Sequence, residues 1–552
     1  MNKALALVER RGGWALLVMG GISATGFAPL NLWPLTLLGL MLLMHLVARA
    51  DSGRRAFWLG WLFGLGHFTI GNNWIATAFT YQANMPAWLG WLAVPLLALY
   101  LALYPGLAAW GAWRITKIVA PTQTSSAGTP LILAFAGCWI IAEWLRSWVF
   151  TGFAWNPIAA AWVDTLFAQF WLPTFGTYGF SGIFVLAAGL LLMGFTAMGR
   201  GLRSGAPLQS GSVVGIGFIA IFALPLLGAA LFPNLLLPAP KDAPPTSPTP
   251  LTIVQPNISQ IDKYKPGYDA VNFQRLAESS LPQQPRPRLI LWPEAAIPWR
   301  LEEGYPFRFY QFQPGESAAG ARTMLSQLMN PADILLTGAD RLEFDSKGQL
   351  VGARNSVHVM TGTGNLLGHY DKAHLVPFGE YLALRWLLEP LGATRLVPGT
   401  IDFWSGPGPR TLDLPFDGRR VKVGMQICYE MIFSGKVTDH ANRPDFIFNP
   451  SNDAWFGHWG PPQHLAQARL RAIEEGLPVV RSTPTGISAV IDADGRIVKN
   501  LPPGIAGRID AQLPLAKSPT LFASFGNILP LGFALLLLVC ALLPLARTRL
   551  SR

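Results

Sequence analysis

The stretch RVKVGMQICYE, residues 420–430, decides the architecture of the polar half of this chain. Val421, Val423, Met425 and Ile427 form an apolar strand pattern, which ends abruptly in Cys428, Tyr429 and Glu430. A short apolar run with a polar tip reads as a buried strand that delivers chemistry at its carboxyl end. Two other segments repeat the pattern. RLILWPEA (288–295) places Glu294 just past an apolar strand. LLGHYDKAHLVPFGEY (366–381) places Lys372 behind a hairpin strand, with Glu380 eight residues further on. Open α/β layers bind ligands at the carboxyl ends of strands, so these groups can converge there.

The surrounding sequence alternates in the same way. LTIVQPNI (251–258), ADILLTGA (332–339), SVHVMTG (356–362) and DFIFNPSNDAWF (445–456) read as strands. DAVNFQRLAESSL (269–281) and PQHLAQARLRAIEEG (462–476) carry the helical period. Residues 251–511 therefore read as one α/β domain. The stretch Leu237–Pro250, LPAPKDAPPTSPTP, is proline-rich and reads as a semi-rigid linker before it.

Residues 1–236 and 512–552 are different. The chain is 51% hydrophobic and only 13% charged, with 21 Trp and 32 Phe. Soluble domains average about 25% charged, so this deficit points to a membrane protein. Apolar runs of membrane-spanning length lie near 12–29, 33–49, 56–75, 86–112, 130–148, 173–198, 213–232 and 523–546. The expected fold is thus a polytopic α-helical bundle of about eight spans plus an α/β domain. Seven spans fall in 1–236 and one in 512–552.

Net charge is +11, a value that can signal nucleic-acid binding. Its distribution excludes that reading. Residues 251–511 hold 26 Lys and Arg against 26 Asp and Glu, so the excess lies among the apolar segments. It falls on alternate connections: Lys3, Arg10 and Arg11; Arg49, Arg54 and Arg55; Arg114 and Lys117; Arg200 and Arg203; Arg547, Arg549 and Arg552. The positive-inside rule then puts both termini in the cytoplasm and the 251–511 domain outside it. In a Gram-negative inner membrane that side is the periplasm.

Of the three cysteines, Cys138 and Cys540 lie in apolar runs and only Cys428 lies in the polar domain. No disulfide framework, zinc spacing or nucleotide motif is present, and no cofactor or metal is expected. A thiol needs an adjacent base to become a nucleophile, and Glu294 can serve if burial raises its pKa. Lys372 can stabilise a tetrahedral oxyanion, with a backbone N–H after the cysteine as second donor. Singly, each residue has a plainer reading: core cysteine, turn glutamate, surface lysine. Their joint order carries the argument.

Glu294, Lys372 and Cys428, in WPE, YDKAHLVPFGEY and ICYE, resemble the nitrilase (carbon–nitrogen hydrolase) superfamily. HLVPFGEY, SNDAWFG and QHLAQARLRAIE are similar to its membrane branch, the apolipoprotein N-acyltransferases, as are GFAPLNLWPL from Gly26 and EWLRSWVFTGF (143–153). The resemblance implies an αββα sandwich. It implies Glu294 as general base, Lys372 as oxyanion stabiliser and Cys428 as nucleophile. Glu380 would orient the lysine or the reacting carbonyl, and Tyr429 and Glu430 match essential residues after the cysteine. Two positions depart from the pattern: Tyr264 in DKYKP replaces a tryptophan, and Pro484 in RSTPTGIS replaces an asparagine.

The implied reaction moves an acyl chain from a membrane glycerophospholipid, through a Cys428 thioester, to the α-amine of an S-diacylglyceryl-cysteine apolipoprotein. The alternative is a membrane-anchored amidase that hydrolyses a small amide. A transporter reading is disfavoured, since the spans carry little internal charge and no repeat. Trp386, Leu387 and Leu388 form either a lid that touches lipid or a core helix. His464, Asp453 and Trp455 read as packing or loop-shaping residues. Glu143 and Arg146 are spaced to pair at the end of a span.

Overall fold

The computed structural model describes residues 12–81, 86–120, 128–204, 244–263, 265–391 and 401–550. By contacts the chain divides into two units. One comprises Met1–Asn73, Trp91–Asp242 and Leu521–Arg552; the other comprises Trp74–Gly90 and Ala243–Thr520.

The first unit is helical. Its described helices are α1 (Gly12–Ser23), α2 (Trp33–Ala48), α3 (Gly53–Gly71), α4 (Leu89–Leu101), α5 (Leu103–Val119), α6 (Thr129–Arg146) and α7 (Leu166–Ser204). A last helix runs near the carboxyl end, Ile528–Leu550. Seven of the eight expected apolar runs coincide with these helices, and 213–232 lies outside the described residues. By length and hydropathy, however, three described segments can cross a membrane: Leu89–Val119, Thr129–Arg146 and Leu166–Met198. Trp33–Ala48 and Ile528–Pro544 are apolar but shorter. The described helices thus fall short of about eight spans. Arg54 and Arg55 occupy the first turn of α3 and lower its hydropathy, and α1 is described only from Gly12 onward.

Small residues let these helices meet closely. A Cβ on Gly20 of α1 would lie 2.1 Å from the Phe63 carbonyl oxygen of α3, and one on Gly66 would lie 2.0 Å from that of Leu17. Glu143 and Arg146 serve the irregular segment that follows α6. Glu143 accepts from the Ile158 backbone N–H at 2.9 Å and from Trp139 Nε1 at 3.0 Å. Arg146 donates to the carbonyls of Phe153 and Trp155 at 2.9 and 2.8 Å. Non-helical backbone inside an apolar bundle requires such partners, so this pair has a structural role.

The second unit contains two six-stranded sheets, ordered β12-β1-β2-β3-β4-β5 and β11-β10-β9-β8-β7-β6. The first holds β1 (Thr246–Gln255), β2 (Leu289–Leu291), β3 (Ile334–Phe344), β4 (Leu350–Thr361), β5 (Leu366–Asp371) and β12 (Gly507–Pro514). The second holds β6 (Thr411–Phe416), β7 (Arg419–Met425), β8 (Phe446–Pro450), β9 (Val479–Ser482), β10 (Ser488–Ile491) and β11 (Ile497–Leu501). Neighbours β1, β2 and β3 run parallel, as do β7, β8 and β9, which explains their continuous apolar sequences. Gln255 at the end of β1 joins the sheets by accepting from Ser488 N at 3.0 Å and Thr483 Oγ1 at 3.3 Å.

Helices cover both outer faces. Leu276 of α8 (Asp269–Ser280) and Leu325 of α9 (Ala318–Ser326) pack with Ile290 and Leu335 of the first sheet. Ala468 and Ala472 of α10 (Gly460–Glu475) pack with Ile447, Val479 and Ala489 of the second. The expected αββα layering is therefore present. Its edges differ from the sequence boundaries: β1 starts at Thr246, inside the proline-rich stretch, and β12 continues to Pro514. Pairing with β12 recruits those linker residues into the sheet.

A further difference is the stretch Trp74–Gly90, read from sequence as part of a span and its connection. It belongs to the second unit. The single turn Ile75–Ala78 meets the turn Asp453–Phe456, with Trp74 edge-on to Phe456 at 4.8 Å. Gly457 is needed there, at φ +56° with space for no Cβ beside Thr77 Oγ1.

Candidate active site

Lys372 directly follows β5, and Glu294 and Cys428 lie three residues past the ends of β2 and β7, with β2 and β5 belonging to one sheet and β7 to the other. The fold brings them together in a buried cluster. Lys372 Nζ lies 3.3 Å from Glu294 Oε1 and 3.0 Å from Glu380 Oε1. The Cys428 thiol lies in the field of both Glu294 and Lys372. Exposure is 7% for Glu294, 2% for Lys372, 5% for Glu380 and 4% for Cys428. Buried charges at that depth must be paired, and here one ammonium sits between two carboxylates.

The backbone supports this placement. Ala295, after the glutamate, has φ +45°, and its N–H approaches Gly338 so closely that a Cβ there would lie 2.3 Å away. Lys372 N donates to Asn355 O at 2.9 Å, and Gly406 N donates to Lys372 O at 2.8 Å. Cys428 has φ +51° and opens the turn Cys428–Ile432. Glu380 is anchored by Val376 N, which donates to its second oxygen at 2.8 Å.

Asn355 and Asn452 were not singled out from sequence, yet both hold the cluster. Asn355 Nδ2 donates to Glu294 at 2.7 Å and to Glu380 at 2.9 Å. Asn452 N donates to Glu294 Oε2 at 2.8 Å. Asn355 lies one residue before the run read as SVHVMTG, and on β4 it pairs with Asp340 of β3. An isolated asparagine beside a strand carries no signal without that register.

The electrostatics differ from expectation in one respect. Burial acts to raise the Glu294 carboxyl, but the Lys372 ammonium and the Asn355 amide outweigh it and hold it below the ordinary value. The expectation that burial raises it is therefore corrected. Burial would also lower Lys372, but Glu380 and Glu294 overcome this and hold it well above the ordinary lysine range. Burial and the nearby Glu294 carboxylate push the Cys428 thiol far up, against the pull of Lys372. The resting set is a neutral thiol, two carboxylates and an ammonium.

Glu430 ties the cysteine turn to the lysine loop. One oxygen accepts from Ala373 N at 2.7 Å, His374 N at 3.0 Å and Tyr370 Oη at 2.9 Å; the other accepts from Ile427 N at 2.7 Å. Burial lifts its carboxyl to about 7, with the backbone donors and Lys372 opposing. The Tyr429 ring instead packs edge-on against Phe433 at 5.3 Å, near His374. Trp386 and Leu387 lie on the single turn Arg385–Leu388 and are 76% and 45% exposed, unlike a core helix. The Leu388 side chain and Tyr264 lie outside the described residues. Pro484 is buried in the loop between β9 and β10. Groups of acidic, histidine or cysteine residues able to hold a metal are absent among the described residues.

A buried thiol, a carboxylate and an ammonium gathered at the strand ends of two sheets are the groups that a carbon–nitrogen hydrolase-type site requires. The Carbon-nitrogen hydrolase family model matches residues 251–519, and the Apolipoprotein N-acyltransferase N-terminal domain model matches 19–190. An apolipoprotein N-acyltransferase of Rhodopseudomonas palustris is 33% identical, covering 97% of this chain and 94% of that one. One of Caulobacter vibrioides is also 33% identical, over 98% and 95%. Among solved structures, Saccharomyces cerevisiae Nit3, of the nitrilase superfamily, is 24% identical, covers 53% of this chain and 97% of that chain, and has a TM-score of 0.34. The chain belongs to the apolipoprotein N-acyltransferase family, and is an acyltransferase.

Proposed function

We propose that this enzyme transfers an acyl chain from a membrane glycerophospholipid to the N-terminal α-amine of S-diacylglyceryl-cysteine apolipoproteins, through a thioester on Cys428. The observation that carries this reading is the Glu294–Lys372–Glu380 cluster around a buried thiol.

In the first half-reaction the Cys428 sulfur attacks the ester carbonyl while its proton passes to Glu294. Since the thiol is held up and the carboxyl down, free thiolate is costly, so proton transfer accompanies attack. Once Glu294 is neutral, the charge of Lys372 is released from one of its two carboxylates toward the developing oxyanion. The N–H after the cysteine is the second donor. Collapse breaks the carbon–oxygen bond, and Glu294 returns the proton to the departing lysophospholipid. In the second half-reaction the acceptor amine attacks the thioester, Glu294 takes its proton, and the thiol is restored as the amide forms. Glu380 keeps the lysine in place throughout, and Glu430 holds the two loops together.

The membrane setting fits these substrates, which both carry acyl chains. The proposed arrangement has about eight spans, cytoplasmic termini and a periplasmic catalytic domain in a Gram-negative inner membrane. Trp386 and Leu387, apolar and exposed, suit a lid that touches lipid. Incubating purified protein with phospholipid alone tests the reading. One equivalent of lysophospholipid per enzyme, then a halt until amine acceptor is added, supports it. Release of fatty acid with continuous turnover, or hydrolysis of small amides at comparable rates, would favour the amidase instead.

A further inference from the structure

His464 is fully buried on α10 and lies beside the nucleophile without facing the Glu294–Lys372 cluster in any contact described above. Its Nε2 is 3.1 Å from the backbone carbonyl oxygen of Cys428. A carbonyl oxygen can only accept, so Nε2 carries the proton and donates. The other side of the ring is fixed as firmly. Nδ1 lies 3.1 Å from Asp453 Oδ1 and 3.1 Å from Arg481 Nη2. Arg481, also fully buried, donates to Asn449 Oδ1 at 2.7 Å, to Ile487 O at 3.2 Å and to Asp453 at 2.5 Å. Phe456 meets the imidazole edge-on at 5.5 Å, and Trp74 backs Phe456. With Nε2 protonated, Nδ1 accepts from Arg481, which Asp453 holds in place, and these contacts with Phe456 fix the tilt and position of the ring.

Cys428 holds φ +51°, a conformation that a residue with a side chain keeps only when its surroundings enforce it. The peptide unit joining Cys428 to Tyr429 is planar and trans, so its N–H points opposite to its C=O. Whatever fixes the carbonyl therefore fixes the direction of the Tyr429 N–H. That N–H is the backbone donor proposed for the oxyanion.

We infer that His464 is a positioning residue that aims the Tyr429 N–H at the oxyanion by holding the Cys428 carbonyl, with Asp453 and Arg481 setting the imidazole and Phe456 its tilt. The inference rests on Cys428 being the nucleophile. It assigns His464 a role in stabilising developing charge, with no proton exchanged with substrate. His464 should therefore matter for attack on an ester and not for reactions that develop no oxyanion.

The test compares two reactions of the same thiol, in full-length protein with Cys138 and Cys540 replaced by alanine. One is acylation by phospholipid in mixed micelles. The other is alkylation by iodoacetamide, a displacement without an oxyanion. His464→Phe keeps a ring against Phe456 and removes the donor; His464→Gln restores an N–H within similar reach. A complete oxyanion donor is worth about 10²–10³ in rate, so misdirecting one should slow acylation by roughly tenfold or more. The expected result is that His464→Phe slows acylation at saturating phospholipid, leaves KM and the alkylation rate within about twofold, and is rescued by His464→Gln. Equal loss in both reactions, or no loss in either, overturns the inference. So does a glutamine variant that acylates no faster than the phenylalanine one, which also covers a phenylalanine variant that fails to fold. Acylation that persists in Cys428→Ala would instead show that the nucleophile reading has failed.

Discussion

Replacing Lys372 with methionine removes the one cation between two buried carboxylates, and its effect on stability can be worked from the distances. Glu294 and Glu380 each lie within 3.3 Å of Nζ, and both share the Asn355 amide. Without the ammonium they face each other with one neutral donor between them. Breaking a buried pair by removing one partner costs about 3–5 kcal/mol. In a domain of this size that lowers Tm by on the order of 10 °C. The orphaned carboxylates take up protons more readily in the fold than in the unfolded chain, so the loss grows as pH rises through the range where they ionise, and is smaller at pH 5 than at pH 8. Adding Glu380→Gln removes one of the two charges and should recover most of the stability. It should recover none of the activity, because the charge for the oxyanion is still missing, at a cost of about 10²–10³ in rate. Tryptophan fluorescence melts in detergent, paired with the rate of Cys428 acylation, measure both quantities. A Lys372→Met protein as stable as wild type at pH 8, or a double variant no more stable than the single one, would refute the buried-pair reasoning.

Further outcomes follow from the same geometry. Glu294→Gln keeps the shape and loses the base, so the protein should fold but form thioester at least about 10²-fold more slowly; near-normal formation removes Glu294 from the mechanism. Asn355→Leu leaves two carboxylates short of a donor each and should cost about 1–3 kcal/mol in a melt, with a loss in acylation; an unchanged melt would show the amide to be dispensable. Burial tends to raise the Asp453 carboxyl, but Arg481 and His464 pull it down to about 2. Its contribution is present above the unfolded value near 4 and disappears as pH falls through about 2, on the order of 2 kcal/mol, so Asp453→Asn should flatten acid unfolding in that window. Serine at Trp386 and Leu387 should impair acylation from bilayer phospholipid more than alkylation of Cys428 by a small reagent; equal impairment argues against the lipid-touching lid. A reporter fused near Ser346 should behave as periplasmic, and cytoplasmic behaviour would put the site on the wrong side of the membrane for its acceptor.

What the sequence made legible, it did through residue types at strand ends. Glu294, Lys372 and Cys428 each follow an apolar run, and short apolar runs with polar tips can be read without knowing how strands pair. Asn355 was invisible because its role depends on the register of β4 beside β3 and β5. His464 was read as packing because a histidine in a helix gives no hint that a carbonyl on a distant turn lies at its Nε2. The Glu294 pKa was expected from burial alone, whereas the paired Lys372 and the Asn355 amide outweigh burial. Proline-rich Thr246–Pro250 looked like linker because its pairing partner, β12, lies far along the chain. Trp74 looked like the end of a span because its contact with Phe456 is equally remote in sequence. Apolar composition located the helices well, while the arginines in the first turn of α3 lower the hydropathy of that run.

The most direct test of the account is to follow the acyl group itself. Wild-type protein given phospholipid with a radiolabelled acyl chain, without acceptor, should retain a hydroxylamine-sensitive label. Cys428→Ala should retain none, while Cys138→Ala and Cys540→Ala should label normally. Addition of a diacylglyceryl-cysteine peptide should discharge the label onto its free α-amine, and a peptide acetylated at that amine should leave it in place. Label and transfer that persist in Cys428→Ala would contradict the assignment of the nucleophile and the thioester mechanism with it.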